Sequence, residues 1–272
     1  MQSAFFLSHL KVDVSTRDSS LWRDIELIWG KCRQRLVQET VVLECELNTT
    51  PDCEILWKGF GADRVTCAGE VVPRLESWVY SELRRRHATN EVALHAAGVV
   101  FKGQVLLFIG ASGAGKSSLA LAALDQGCTY ISDEIVCFNR EVFWGVPRAI
   151  QFDLRSEAQE LPRRLQRDDV LFRQVSNRIG VRSRAPIVQP ISDQVIKAPV
   201  ASSHPWLIFT SHSNDNALIP CEPLAALQGL CEAAMVKPSF DLGWLVNRGQ
   251  CLHLRWNDPA AAMNLLTRRL QI

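Results

Sequence analysis

The stretch "GASGAGKSS", residues 110–118, gathers the residue types needed to hold a phosphate. Gly110, Gly115, Lys116 and Ser117 fit the spacing G-x-x-x-x-G-K-[ST] without a mismatch. Glycines let the backbone N–H groups of Ala111, Ser112, Gly113, Ala114 and their neighbours wrap an anion, and a helix N-terminus adds donors with a favourable dipole. Lys116 would reach the terminal phosphates, and the Ser117 hydroxyl, next to Ser118, would ligate Mg²⁺. The flanks suit this chemistry. "QVLLFI" reads as a buried strand before the loop, and "KSSLALAAL" opens a helix after it.

Such a loop serves ATPases, GTPases and kinases alike. The chain has no Asn-Lys-x-Asp segment, which disfavours a Ras-like GTPase, and no LSGGQ-type segment, which disfavours a transporter ATPase. Two further features narrow the chemistry. In "VALHAAGVVFKGQVLLFIG" two apolar runs flank Lys102-Gly103, the pattern of a hairpin with a two-residue turn. A turn centred there makes facing residue numbers sum to 205, so His95 faces Gly110 at the mouth of the loop. Downstream, the helix is predicted to end near Gly127, and "CTYISDEIVCF" reads as the next strand, carrying Asp133 and Glu134. An acid at a strand's carboxyl end can hold Mg²⁺ through water or take a proton from an attacking hydroxyl. Alternation along a regular strand would aim one of the pair at the nucleotide.

These residues must be positioned by an α/β scaffold. The alternation of strand, loop, helix and strand over about 91–155 predicts an α/β fold, a P-loop mixed sheet flanked by helices. Residues 1–87 read as a small N-terminal α+β module and 88–272 as the P-loop domain. In the module, "VVLECEL" and "CEILWKGF" suggest strands, and Leu21, Ile25, Ile28 and Trp29 mark the apolar face of a helix. Pro73 is predicted to open a second helix, with Leu75, Trp78, Val79 and Leu83 on one face and Arg84, Arg85 and Arg86 as its solvated end. Strand "PWLIFT" and helices "EPLAALQGLCEAAM" and "PAAAMNLLTRRLQI" complete the chain. Arg163, Arg164, Arg167, Arg173, Arg178, Arg182 and Arg184 crowd one polar segment. It reads as a solvated excursion, the alternative being a flap that grips phosphates or an acidic substrate.

Composition excludes other classes. The 272 residues are 47% hydrophobic and 22% charged, and thirty basic residues balance twenty-nine acidic ones to a net +1. No global field points to nucleic acid or an anionic membrane. No stretch suits a signal peptide or spanning helix. The nine cysteines form no CxxC pair, so they read as structural thiols such as Cys128 and Cys137, in a reducing cytoplasm.

Taken together, His95, "GASGAGKS", Gly127 and Asp133-Glu134 resemble the catalytic domain of the HPr kinase/phosphorylase family, above all its shorter HPr-kinase-related serine kinases. The likeness covers about 91–155 well and the rest loosely. It implies that Asp133 is the base that takes a serine proton, that Glu134 helps hold Mg²⁺, and that His95 lies near the phosphates. It also places Arg148, in "WGVPRAIQFD", where relatives have a Pro-Arg segment; that arginine would neutralise phosphoryl charge or else lie on the surface. Oligomers are common in the family, so a homo-oligomer is implied too. Two departures stand out. Glu134 replaces the usual Asp, and the Arg-Gly-Leu-Gly segment associated with phosphorolysis is missing, so neither phosphorolysis nor HPr as acceptor is implied. The expected function is transfer of the ATP γ-phosphoryl group to a serine of a protein or peptide. A small-molecule kinase and a non-catalytic nucleotide-responsive module are the alternatives.

Overall fold

Alternation builds the first sheet: in "LKVDVST" Leu10, Val12, Val14 and Thr16 are buried while the residues between them are half-buried on the other face. The computed structural model describes residues 1–34, 41–49, 53–85, 91–152, 170–176, 182–188, 194–235 and 242–270. In chain order the early elements are β1 (Gln2–Leu7), β2 (Leu10–Thr16), α1 (Ser19–Trp29), a 3₁₀ turn (Gly30–Arg33), β3 (Val41–Asn48), β4 (Glu54–Trp57), β5 (Gly61–Arg64) and α2 (Ala68–Arg85). Next come β6 (Val92–Leu94), β7 (Ala97–Phe101), β8 (Gln104–Ile109), α3 (Lys116–Asp125), β9 (Thr129–Ser132), β10 (Val136–Asn139) and β11 (Val142–Gly145). The rest are β12 (Ile150–Gln151), β13 (Val170–Ser176), β14 (Arg182–Val188), β15 (Val200–Ala201), β16 (Trp206–His212), β17 (Ala217–Pro220), α4 (Pro223–Ala233), α5 (Leu242–Arg248), β18 (Gln250–Trp256) and α6 (Pro259–Leu270). The chain divides into two compact units, Met1–Arg85 with Arg148–Pro190, and Arg86–Pro147 with Ile191–Ile272.

In the first unit β1 to β5 form one sheet in sequence order, antiparallel except where α1 carries the chain from β2 to a parallel β3. The helix buries Leu21, Ile25, Ile28 and Trp29, the face its periodicity marks. Its cap is Asp18, which accepts from the Ser20 and Leu21 amides. Hydrogen bonds from the Ser20 and Thr49 hydroxyls hold that carboxyl down at about 2. Helix α2 corrects the sequence reading: it starts at Ala68, and Pro73 lies inside it. The start is set upstream of the proline, where the Glu70 carboxylate accepts from the Thr66 amide at 2.9 Å and hydroxyl at 2.8 Å. Leu75, Val79 and Leu83 are buried as expected, Trp78 stacks on Trp57 at 3.7 Å between centroids, and Arg84 and Arg85 are exposed. Arg86 lies outside the described residues.

A second sheet of this unit has the order β12-β14-β13. The arginine-rich segment was expected to be an excursion, yet part of it is a ladder running from Val170↔Val188 to Ser176↔Arg182. Arg173, Arg182 and Arg184 stand on it, whereas Arg163, Arg164, Arg167 and Arg178 lie outside the described residues. Just before it, Arg148 is not the surface arginine considered above but is 8% exposed. Its Nη1 lies 3.6 Å from Glu76 Oε1, its guanidinium 5.9 Å from the Tyr80 ring centroid, and Gln151 Nε2 donates to Glu76 Oε1 at 3.2 Å. Removing Glu76 takes a buried countercharge away from Arg148. Glu76→Ala is therefore expected to cost about 3 kcal/mol of unfolding free energy, read from the urea midpoint; an unshifted midpoint would refute the pairing as a stabilising contact.

The second unit holds a four-stranded sheet, β15-β11-β10-β6, and a six-stranded one, β17-β18-β16-β8-β7-β9. In the larger sheet β8 is parallel to β16 and β16 to β18, whereas β7 is antiparallel to both of its neighbours, β8 and β9. Strands β8, β9, β16 and β18 therefore run the same way and end at one edge. The hairpin has the predicted register, Phe101↔Gln104 through Ala97↔Phe108, and Lys102 and Gly103 both take positive φ, 48° and 81°, as a type I′ turn requires. Helices α3 and α6 pack on each other, and α4 lies against β8 and β16. Among the described residues no helix is long and apolar enough to cross a membrane.

Two stretches read as single strands are broken. β6 pairs with β10 in the small sheet and β7 with β8 in the large one, so the chain changes sheets at His95-Ala96 and the expected pairing of His95 with Gly110 is not part of the ladder, which ends at Ala97↔Phe108. The same happens between β9 and β10, where Asp133 and Glu134 form a bend. The described residues are mixed α/β.

Candidate functional site

The loop after β8 connects a buried strand to the buried first turn of α3, and Gly115 caps that helix with φ +81°. A Cβ at Gly115 would stand 2.0 Å from Trp256 Cζ2, so both the backbone sign and the space demand glycine. Helix α3 ends as expected at Gly127: its amide donates to Leu124 O at 2.9 Å and the Cys128 amide to Ala123 O at 3.1 Å, a Schellman pattern.

Lys116 is 7% exposed, and its ammonium donates to the carbonyls of Gly110 at 2.9 Å and Ala111 at 3.1 Å. Burial lowers its pKa, against the opposing pull of the Glu134 and Asp133 carboxylates. The ammonium is thus held inside the loop against its carbonyls rather than in water.

Asp133 follows the carboxyl end of β9 and is 2% exposed. Its Oδ2 accepts from Ser117 Oγ at 3.0 Å and its Oδ1 from Tyr130 Oη at 2.9 Å. The bend that carries it is tied down by Ser132, whose Oγ donates to Val146 O at 2.8 Å and accepts from the Glu134 and Ile135 amides. Because the acidic pair sits in a bend, strand alternation does not part the two side chains. Asp133 meets Ser117, and Glu134 Oε1 lies 3.9 Å from His95 Nε2, with side-chain exposures of 26% and 43%. His95 is placed beside Glu134, its amide donating to Ala233 O at 2.8 Å. The structure brings Lys116, Ser117, Asp133, Glu134 and His95 together, whereas Arg148 belongs to the other unit.

The sequence reading missed Tyr130, Thr210, His212 and Trp256. Thr210 Oγ1 donates to Ala114 O at 3.3 Å, and His212 Nε2 lies 3.1 Å from Gly113 O. The His212 and Trp256 rings are 4.3 Å apart, and Trp256 backs Gly115. The rule that sites gather beyond carboxyl strand ends could have found His212 and Trp256, which end β16 and β18. For Tyr130 the only signal was its place three residues before Asp133.

Ser117, Asp133 and Glu134 offer hard oxygen donors of the kind Mg²⁺ prefers, and the buried cation of Lys116 beside them suits an anionic nucleotide. Among the described residues no group of three or more His, Cys, Asp or Glu is gathered as a metal cluster.

No family model matches the chain, and no curated protein matches it. Among solved structures it is similar to the Hpr(Ser) kinase/phosphatase from Coxiella burnetii, at 15% identity and a TM-score of 0.30, over 66% of this chain and 97% of that one. Likeness at that level assigns neither family nor activity, and the functional reading rests on the site's own geometry.

Proposed function

We propose that this chain is an ATP-dependent phosphotransferase that moves the γ-phosphoryl group to a serine hydroxyl of a protein or peptide. The observation that carries the reading is the 3.0 Å contact between Ser117 Oγ and the buried Asp133 carboxylate. It joins a phosphate-holding loop to an acid within reach of an attacking hydroxyl.

In this reading the loop amides of residues 110–118 and Lys116 bind the phosphates, Lys116 exchanging its two loop carbonyls for phosphate oxygens. Mg²⁺, held by Ser117, Asp133 and Glu134, would supply charge neutralisation at the phosphates. Asp133 orients the serine hydroxyl and accepts its proton as the oxygen attacks phosphorus in line. His95 stands beside Glu134, 3.9 Å from its carboxylate, where its imidazole can hydrogen-bond toward the phosphates. The proposal gives Arg148 no part in the step, because Glu76 already faces its charge. All nine cysteines are free thiols, which supports a reducing cytoplasm, and a homo-oligomer is part of the proposal.

The test is transfer of label from γ-³²P-ATP to the proteins and peptides encoded beside this chain. Labelled serine is the expected result. Label on small molecules alone would favour the small-molecule kinase, and ATP binding with no transfer to any acceptor would leave a binding module.

A further inference from the structure

We propose that Tyr130 is a positioning residue for Asp133: its buried hydroxyl occupies Oδ1 and leaves Oδ2, the oxygen beside Ser117, as the one that works. The inference rests on the phosphotransfer reading of this site, but it concerns a residue that reading does not use.

The geometry supports it from both ends of the contact. Tyr130 is fully buried and its oxygen is 2.9 Å from Asp133 Oδ1. Its backbone is clamped on both sides, by the ladder partner Val99 and by the Ile196 amide, which donates to Tyr130 O at 3.0 Å. A ring with two torsions on a clamped strand inside a packed core has little freedom to move its hydroxyl. Asp133 is the opposite case, since it lies in the bend after β9, outside any ladder. The orientation of its carboxylate is therefore set by what its oxygens bond to. A carboxylate oxygen can only accept, so the phenol hydroxyl is the donor in this contact. One oxygen accepts that bond, and the plane of the carboxylate follows. A displacement of about 1 Å at a reacting group can cost a hundredfold in rate, so a fixed Oδ2 is a kinetic quantity. A tyrosine serving packing alone would lose stability on truncation and nothing else.

The experiment compares the full wild-type chain with Tyr130→Phe, which removes one oxygen and keeps the ring. Steady-state turnover of Mg·ATP, with the labelled acceptor or with water, should show kcat falling about 10–100-fold, ATP KM within about twofold and little change in melting temperature. Crystal structures of both proteins with Mg²⁺ and a non-hydrolysable ATP analogue should show the Asp133 carboxylate turned in the variant. Unchanged kcat overturns the proposal, and so does an Asp133 orientation identical in the two structures. Should wild type move no phosphoryl group at all, phosphotransfer fails on its own, and the two orientations still decide the role of Tyr130. Should Tyr130→Phe not fold, 3-fluorotyrosine in a Tyr80→Phe background labels Tyr130 alone, because the chain has two tyrosines. That stronger donor should change kcat and leave KM as it was; an unchanged kcat overturns the proposal there too.

Discussion

Asp133→Asn is expected to lower phosphotransfer by about 10³-fold, within the range a positioned general base supplies, while ATP still binds within a fewfold of wild type. Binding should survive because the proposed reading gives the phosphates to Lys116 and the loop amides, while Ser117, Glu134 and the amide oxygen at position 133 still offer oxygens to Mg²⁺. Folding should survive as well. The hydroxyls of Ser117 and Tyr130 both donate to the carboxylate, and a hydroxyl can donate or accept. An amide at Asp133 can therefore keep both neighbours hydrogen-bonded while losing its capacity to take a proton. Calorimetric ATP titration beside the labelled-transfer assay separates the two effects. Full activity in the variant would remove Asp133 from the mechanism.

Gly115→Ala is expected to destabilise the second unit by about 3 kcal/mol. A non-glycine residue in the left-handed region costs roughly 1–2 kcal/mol. Overpacking a filled site adds typically 1–3 kcal/mol more. The new methyl would point at Trp256 Cζ2, and Trp256 is fully buried, so neither partner can step aside. The displacement falls on the cap of α3, immediately before Lys116, and ATP affinity should drop with stability. Urea unfolding of Gly115→Ala, Trp256→Leu and the double variant checks the cause. A smaller indole replacement should recover the packing part and not the backbone part, giving a favourable coupling of about 1 kcal/mol or more. Strict additivity would show that Trp256 is not the obstacle.

Local physics was legible in the residues themselves. The face of α1, the turn at Lys102-Gly103 with its register and the cap at Gly127 all follow from spacings within one or two elements. The loop from Gly110 to Ser117 is of the same kind, since Lys116 bonds carbonyls five and six residues back. Pro73 misled because a proline preference is weaker than a side-chain cap upstream, and Glu70 supplies that cap to Thr66.

What only the tertiary structure decided is which of these pieces meet. Asp133 reaches Ser117 across sixteen residues because the chain leaves one sheet for another in the bend after β9. Period-two alternation continues through an apolar run whether or not the strand breaks, so "CTYISDEIVCF" carried no mark of that change of sheet. His212 comes to Gly113 across ninety-nine residues through the pairing of β16 with β8. Arg148 finds Glu76 because the chain returns to the first unit at that residue. Sheet order depends on the summed burial of many strands at once, and no short window of residues contains that sum. The residues at 110–118 thus determined a glycine-rich loop with its lysine and serine, and the tertiary structure decided which acid, and which tyrosine, would stand beside it.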